Sequence, residues 1–275
     1  MNKNFVVRSL VALIAAPVIL YLPFLGDQYF TLFIFLISFL GTKELVSFYE
    51  KKEVFLSKTV TFLVPLVPIS VLFYDLTTGI EVAFILALIL FLTELFRGKE
   101  NPTQIVSGYA LAFIYLGIFP AALLETLKIT EPIIFIYIYS VIMATDIFAY
   151  LGGMTCSKMF KTHSLAKKIS PKKTIEGSIS GIIFAILTGV LIFKYTAMYE
   201  MRELSMINVL ILSLIISVFG QFGDLFESML KRDSGVKDSS NIIPGHGGIL
   251  DRFDSIIFIS PVVFIFFKYI IFLNN

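Results

Sequence analysis

Charged residues are scarce in this chain, and residues 220–255 hold an unusual share of them. Asp224, Glu227, Ser228 and Lys231 fall at i, i+3, i+4 and i+7, so a helix would carry them on one face. Asp224 and Glu227 follow directly on an apolar run, where an ionisable group is costly unless it faces a partner or water. Gly220 and Gly223, one turn earlier, permit close approach of another helix. Lys231, Arg232 and Lys237 then supply cations ahead of a flexible Pro244-Gly245-His246-Gly247-Gly248 stretch. Beyond it, Asp251, Asp254 and Ser255 occupy the first turn of another apolar segment, with Arg252 between the acids.

Carboxylates beside cations at a membrane edge suggest phosphate chemistry. Two carboxylates can hold a hard divalent ion such as Mg²⁺, which uses few protein ligands and completes its shell with water and substrate phosphate. Lysine and arginine neutralise phosphate oxygens, and glycine loops expose N–H groups to anions. These are the parts of a metal-assisted phosphoryl-type transfer. On spacing, Asp224 and Asp251 are the expected metal ligands, because each lies at a helix end with a second acid, Glu227 or Asp254, three residues on. The plainer alternative is a salt-bridged loop with Asp251 as a helix cap.

Two more features point the same way. Ser170-Pro171-Lys172-Lys173-Thr174-Ile175-Glu176-Gly177 sets paired lysines and a hydroxyl before a helix N-terminus, which favours anions. It is not a P-loop, which needs several glycines before one lysine. Asp146 is a lone carboxylate inside an apolar stretch, expected as a third acid or as the partner of a lysine. His163 reads as a surface loop residue, Glu94 and Arg97 as a boundary pair at i+3, and Cys156 carries no assigned role.

The elements that must position these groups are membrane helices. Of 275 residues, 57% are hydrophobic and 15% charged, with 29 phenylalanines and a mean hydropathy of +0.89. A soluble domain is about 45–50% apolar and about 25% charged. One cysteine excludes an intrachain disulfide, and a net charge of +2 is too small to suggest nucleic acid. Nine apolar stretches, at about 5–24, 28–42, 57–74, 79–96, 105–125, 132–153, 178–195, 204–224 and 252–273, suit spans of roughly 20 residues. They are apolar nearly all round, unlike the alternating strands of a barrel, so the expected fold is an all-α polytopic bundle. The first stretch lacks a convincing cleavage site and reads as a retained helix. Of the 22 Lys and Arg, all but Lys128, Lys194, Arg202 and Lys268 fall in one set of alternate segments. The basic side is cytoplasmic, which puts the N-terminus inside and the C-terminus outside.

Ser228-x-Leu230-Lys231-Arg232-x4-Lys237-Asp238-x-Ser240-x2-Ile243-Pro244-x-His246-Gly247-Gly248-Ile249-x-Asp251-Arg252-Phe253-Asp254 resembles the full signature of the phosphatidate cytidylyltransferases, or CDP-diacylglycerol synthases. The stretches beginning at Ser170 and at Asp146 look like two further elements of that family. The resemblance implies that CTP and phosphatidic acid, with Mg²⁺, give CDP-diacylglycerol and pyrophosphate at the cytoplasmic face of the cytoplasmic membrane. Under it, Lys172, Lys173 and Thr174 would hold the nucleotide phosphates, and Lys231 and Arg232 the phosphatidate head group. Ser228, Lys237, Gly247, Gly248 and Arg252 would line the substrates, and His246 would be a hydrogen-bond partner of phosphate or metal shell. Residues 1–130 would then form scaffold and lipid access, and 131–275 the catalytic region. Membrane lipids are implied partners; oligomeric state, a homodimer included, is left open. An ion-coupled transporter would place Asp146, Asp224 and Glu227 along a pathway, but no second copy of the 220–255 pattern supports an internal repeat. A CTP-dependent lipid-alcohol kinase is the nearest enzymatic competitor.

Overall fold

The computed structural model describes residues 15–98, 100–201, 204–243, 245 and 247–273. Among the described residues eleven α-helices follow one another: α1 (Ala15–Leu25), α2 (Asp27–Glu50), α3 (Val60–Leu63), α4 (Leu66–Phe73), α5 (Leu76–Arg97), α6 (Pro102–Leu111), α7 (Phe119–Ile129), α8 (Ile133–Met159), α9 (Ile175–Tyr195), α10 (Met206–Asp233) and α11 (Leu250–Leu273). A wide π-helical turn, Ala112–Ile118, joins α6 to α7. Between α8 and α9 lies an antiparallel hairpin of β1 (Ser164–Ala166) and β2 (Ser170–Thr174). Among the described residues, seven helices are long and apolar enough to cross a membrane, and two shorter apolar ones span Ala15–Leu25 and Val60–Phe73. This is a multi-pass α-helical membrane protein.

Several expected boundaries move. The stretch expected at 28–42 is a 24-residue helix running to Glu50. Lys43 and Glu44 look like its polar end, but Glu44 is buried and hydrogen-bonded, so the helix continues through it. The 57–74 stretch is interrupted at Val64 and Pro65, where proline closes one short helix and opens another. The 132–153 and 204–224 stretches extend to Met159 and Asp233. The first half of the first expected span, residues 5–14, lies outside the described residues.

The chain forms two compact units: residues 1–128 with 230–253, and residues 129–229 with 254–275.

In the first unit, α2 buries Phe30, Ile34, Ile37, Leu45 and Phe48 along one side. Pro120 has no N–H to give the carbonyl four residues back, that of Leu116. The Ser38 hydroxyl on α2 donates to that carbonyl instead, at 2.6 Å. Glu94 is buried and accepts from Arg97 at 2.8 Å, as its spacing suggests, and from the Tyr109 hydroxyl at 2.7 Å. Tyr109 in turn accepts from the Ser57 N–H at 2.8 Å. Lys128 donates to the carbonyls of Val71, at 2.8 Å, and Tyr74. Residues 57, 94, 97 and 109 thus form one hydrogen-bonded group, and 71, 74 and 128 another.

In the second unit, α8 and α9 lie against each other along a glycine seam. A Cβ on Gly152 would come within 2.4 Å of Ser180 Cβ, on Gly177 within 2.5 Å of the Ala149 carbonyl, and on Gly181 within 2.8 Å of the Thr145 carbonyl. Hydroxyls tie α8 to α10 as well: Tyr137 meets Ser213 at 2.7 Å, and Thr145 meets Ser217 at 3.0 Å.

Orientation is testable with an impermeant thiol reagent. Position 239 is a poor reporter, because Ser239 is only 3% exposed. Asn241 and Tyr199 are exposed, and the sequence puts them on opposite sides of the membrane. In sealed cells, with Cys156 replaced by serine, a cysteine at 199 should label and one at 241 should not. The reverse pattern would overturn the N-in assignment.

Candidate active site

In the second unit, Lys173 sits one residue before the end of β2, and its backbone is held on both sides. Upstream, Ser170 pairs with Ala166 across the hairpin. Downstream, the Thr174 hydroxyl caps α9 by accepting from Gly177 N–H at 3.1 Å. The exposed His163 is not a free loop residue: its ring lies 2.8 Å from Glu176, and its carbonyl accepts from Ile175 N–H at 2.9 Å. So anchored, Lys173 Nζ reaches Asp224 Oδ2 at 2.5 Å. The Ser228 hydroxyl donates to Asp224 Oδ1 at 3.3 Å, one turn along α10.

Asp254 lies beside this pair and is 9% exposed. Its carboxylate is close enough to interact electrostatically with Asp224 and Asp146, and with Lys173 in the opposite sense. The Ser255 hydroxyl donates to the Gly220 carbonyl at 3.0 Å, and a Cβ on Gly223 would lie 2.7 Å from Phe258 Cβ and 3.0 Å from the Asp254 carbonyl. The glycine at 223 is what lets α10 approach α11 so closely. Asp146 is exposed on α8, and Glu227 is fully buried on α10. Lys172 is exposed.

In the first unit, Asp251 organises the chain between α10 and α11. Lys231 Nζ reaches its Oδ1 at 2.5 Å, while Oδ2 accepts from Ser239 N–H, Ser239 Oγ and Gly248 N–H, each at 2.8 Å. A carboxylate offers about four acceptor positions, so Asp251 is saturated. Gly247 has φ 87°, a left-handed conformation that favours glycine, and a Cβ there would lie 2.6 Å from Asp251 Oδ2. A Cβ on Gly248 would lie 2.0 Å from Ser239 Oγ. The glycines expected to cradle an anion are thus used first to close the loop on Asp251, and Gly248 N–H is turned inward. Arg232 donates to the Val236 carbonyl at 2.9 Å, while Lys237 and Arg252 are exposed. His246 lies outside the described residues.

Glu44 belongs to this second cluster, and the sequence reading passed over it. It is 2% exposed and takes hydrogen bonds from Ser240 Oγ at 2.6 Å, Ile249 N–H at 2.9 Å and Leu250 N–H at 2.9 Å. The one signal was that the apolar pattern resumes after Glu44 with Leu45, Val46 and Phe48, so this polar interruption is not a helix end.

The acids around Asp254 suit a hard cation. Among the described residues no three of the His, Cys, Asp and Glu type converge closely enough to hold a metal on their own. Mg²⁺ needs less, since one or two carboxylates plus substrate phosphates complete its shell. All the donors here are oxygens, and Lys173 on Asp224 Oδ2 occupies a position where a carboxylate accepts positive charge. The residues present fit a magnesium ion.

Lysine–carboxylate pairs at the ends of apolar helices put exchangeable positive charge at the edge of a membrane protein, where an anion could be held. The description Cytidylyltransferase family matches residues 6–270, and the chain belongs to that family, which makes it a nucleotidyltransferase. It is 36% identical over 265 residues to the phosphatidate cytidylyltransferase of Bacillus subtilis, covering 94% of this chain and 95% of that protein. It is 32% identical over 266 residues to the protein of that name from Staphylococcus haemolyticus, and 34% identical over 266 residues to that from Staphylococcus saprophyticus; each match covers 94% of this chain and 96% of the relative.

The two glycines of α10 make a matched test of the second unit's acidic cluster. Gly223→Ala places a methyl against Phe258 and the Asp254 backbone, and should cost about 1–3 kcal/mol by overpacking. Gly220→Ala meets nothing nearer than 3.8 Å and should melt like the parent. Equal melting temperatures for the two variants in detergent would contradict the close α10–α11 approach.

Proposed function

We propose that the chain transfers the cytidylyl group of CTP to phosphatidic acid, giving CDP-diacylglycerol and pyrophosphate at the cytoplasmic membrane face. The observation that carries this reading is the pairing of Lys173 with Asp224 beside Asp254, at the polar end of apolar helices. A polyphosphate from water and a phosphate anchored in lipid can meet only at such a boundary. The names of the relatives supply the cytidine and the phosphatidate.

In the reaction, an oxygen of the lipid phosphate attacks the α-phosphorus of CTP, and the bond from that phosphorus to the bridging oxygen of the β-phosphate breaks. Pyrophosphate leaves with the electron pair. The nucleophile is already anionic near neutral pH, so no strong general base is required. Lys173, fixed between β2 and α9, turns from Asp224 to hold nucleotide phosphate, with the exposed Lys172 beside it in sequence. Thr174 positions Lys173 by capping α9 rather than by offering a free hydroxyl. Ser228 holds Asp224 in place. Lys231 and Arg232 receive the phosphatidate head group, and Lys237 and Arg252 add positive charge around it. His246 donates a hydrogen bond to phosphate. Asp224 and Asp254, with Asp146 near them and Glu227 buried behind, would hold Mg²⁺. Bound there, the ion would supply charge neutralisation at the transferring phosphate. Asp251 can offer a cation only Oδ1, and only when Lys231 turns away, because Oδ2 is committed to the loop.

Purified protein supplied with labelled CTP, Mg²⁺ and phosphatidic acid should release pyrophosphate and a cytidylylated lipid. A phosphorylated lipid with CDP as co-product would favour a kinase and sink this reading. Asp224→Asn should cut turnover on the order of 100-fold, as loss of an electrostatic group at the transferring phosphate does. A folded variant with normal turnover and unchanged Mg²⁺ dependence would remove Asp224 from the metal site.

A further inference from the structure

Glu44, an acid of the N-terminal helices, reaches the 231–254 stretch with its carboxylate. It lies in the middle of α2's C-terminal half and is 2% exposed. Its partner atoms are 196 to 206 residues away in sequence. Oε1 accepts from Ser240 Oγ and Ile249 N–H, and Oε2 from Leu250 N–H. Two of these are backbone donors at the start of α11, which no earlier turn of that helix can satisfy. The negative charge of Glu44 also suits the positive end of the helix.

The geometry around it leaves little freedom. Glu44 Oε1 would lie 2.3 Å from a Cβ on Gly248, so the carboxylate fits only against a bare glycine backbone. The next residues on each side belong to Asp251, whose Oδ2 binds Ser239 and Gly248. Two carboxylates thus clamp the same neck of the loop: Asp251 holds 239 to 248, and Glu44 holds 240 to 249 and 250. Asp251 is itself held by Lys231, which the proposed function assigns to the lipid phosphate. Any slip of the neck moves the Lys231–Asp251 pair with it.

We propose that Glu44 is a positioning residue for the transfer reaction: it sets the register of the neck at 239–240 and 248–250, and through it the placing of Lys231 and Asp251. It touches no substrate. The catalytic part of this inference rests on the reading of the chain as a cytidylyltransferase acting on a lipid phosphate, but its structural part does not.

The charge and both oxygens matter. Glu44→Gln keeps the shape but replaces one acceptor with an NH₂ that faces either Leu250 N–H or the Ser240–Ile249 donors. Glu44→Asp keeps the charge on a stem one methylene shorter. Ser240→Ala removes one partner from the loop side, without touching α2.

The experiment compares these variants as full-length protein in detergent or vesicles, by kinetics and by amide hydrogen exchange. Glu44→Gln should lower kcat/KM by about 10- to 100-fold, the range usual for groups that hold a functional side chain. Exchange should speed up at Ile249 and Leu250 while the amides of α8 and α9 stay protected. Glu44→Asp should recover part of the loss, which a role in bulk packing would not allow. In the double variant, Ser240→Ala should cost less than it does alone, since its bond to Glu44 is already impaired. Parental kcat/KM in Glu44→Gln, with unchanged exchange at 249–250, would overturn the proposal. If Glu44→Gln does not fold, Ser240→Ala decides: parental kinetics and exchange there would also overturn it. Should the parent itself fail to make the cytidylylated lipid, the functional reading fails, while the exchange comparison still judges the clamp.

Discussion

A carboxylate inside an apolar helix bundle must be met by donors or by a cation, since leaving one bare in that setting is prohibitive. Glu44, Glu94, Asp224 and Asp251 all lie on apolar helices, and each is met. Glu94 takes Arg97 from its own helix and Tyr109 from the next, which closes a helix end. Glu44 takes two backbone N–H groups and a hydroxyl, which fixes where α11 begins. Asp224 and Asp251 take lysines. The first two solutions use partners the protein does not release. The last two use mobile ammonium groups, which can be exchanged for another charge. Asp251 combines both kinds of partner, since its other oxygen is held by Ser239 and Gly248 of the loop.

Close helix contact makes these meetings tolerable. Glycines at 152, 177 and 181 bring α8 against α9, and Gly223 brings α10 against α11. Without a hydrophobic drive between helices in lipid, such contact depends on small residues and interhelical hydroxyl bonds. The same seam ends at β2, where a Cβ on Gly153 would lie 2.8 Å from Thr174 Oγ1, so Lys173 emerges beside a tight helix contact. Its side chain can turn, but its root is fixed.

Much of this was legible in the sequence, because apolar length and charge asymmetry are local signals. The apolar runs marked the helices, and the face shared by Asp224, Glu227 and Ser228 follows from helical spacing. Pairing is not local. Nothing near Lys173 announces Asp224, and nothing near Glu44 announces Ser240, 196 residues on. The end of α2 was misplaced for the same reason: Lys43-Glu44 resembles a membrane boundary unless the partner of Glu44 is known. The β1–β2 hairpin escaped notice because Ser164–Ala166 and Ser170–Thr174 are too short and polar to show a strand period.

The resting ion pairs bear on competition. Lys231 is 11% and Asp251 7% exposed at the side chain, so both charges have already left bulk water before any ligand arrives. A phosphate that captures this lysine must replace a carboxylate already in contact with it. The net gain is then a difference between two similar attractions, much smaller than the pull of a free ammonium. A small anion with nothing else to offer, such as orthophosphate, gains little by that exchange. A ligand that brings further contacts, such as acyl chains in the bilayer or a nucleoside, can make up the difference. In the proposed reaction, the lysine's own counter-ion would thus act as a filter against inorganic phosphate.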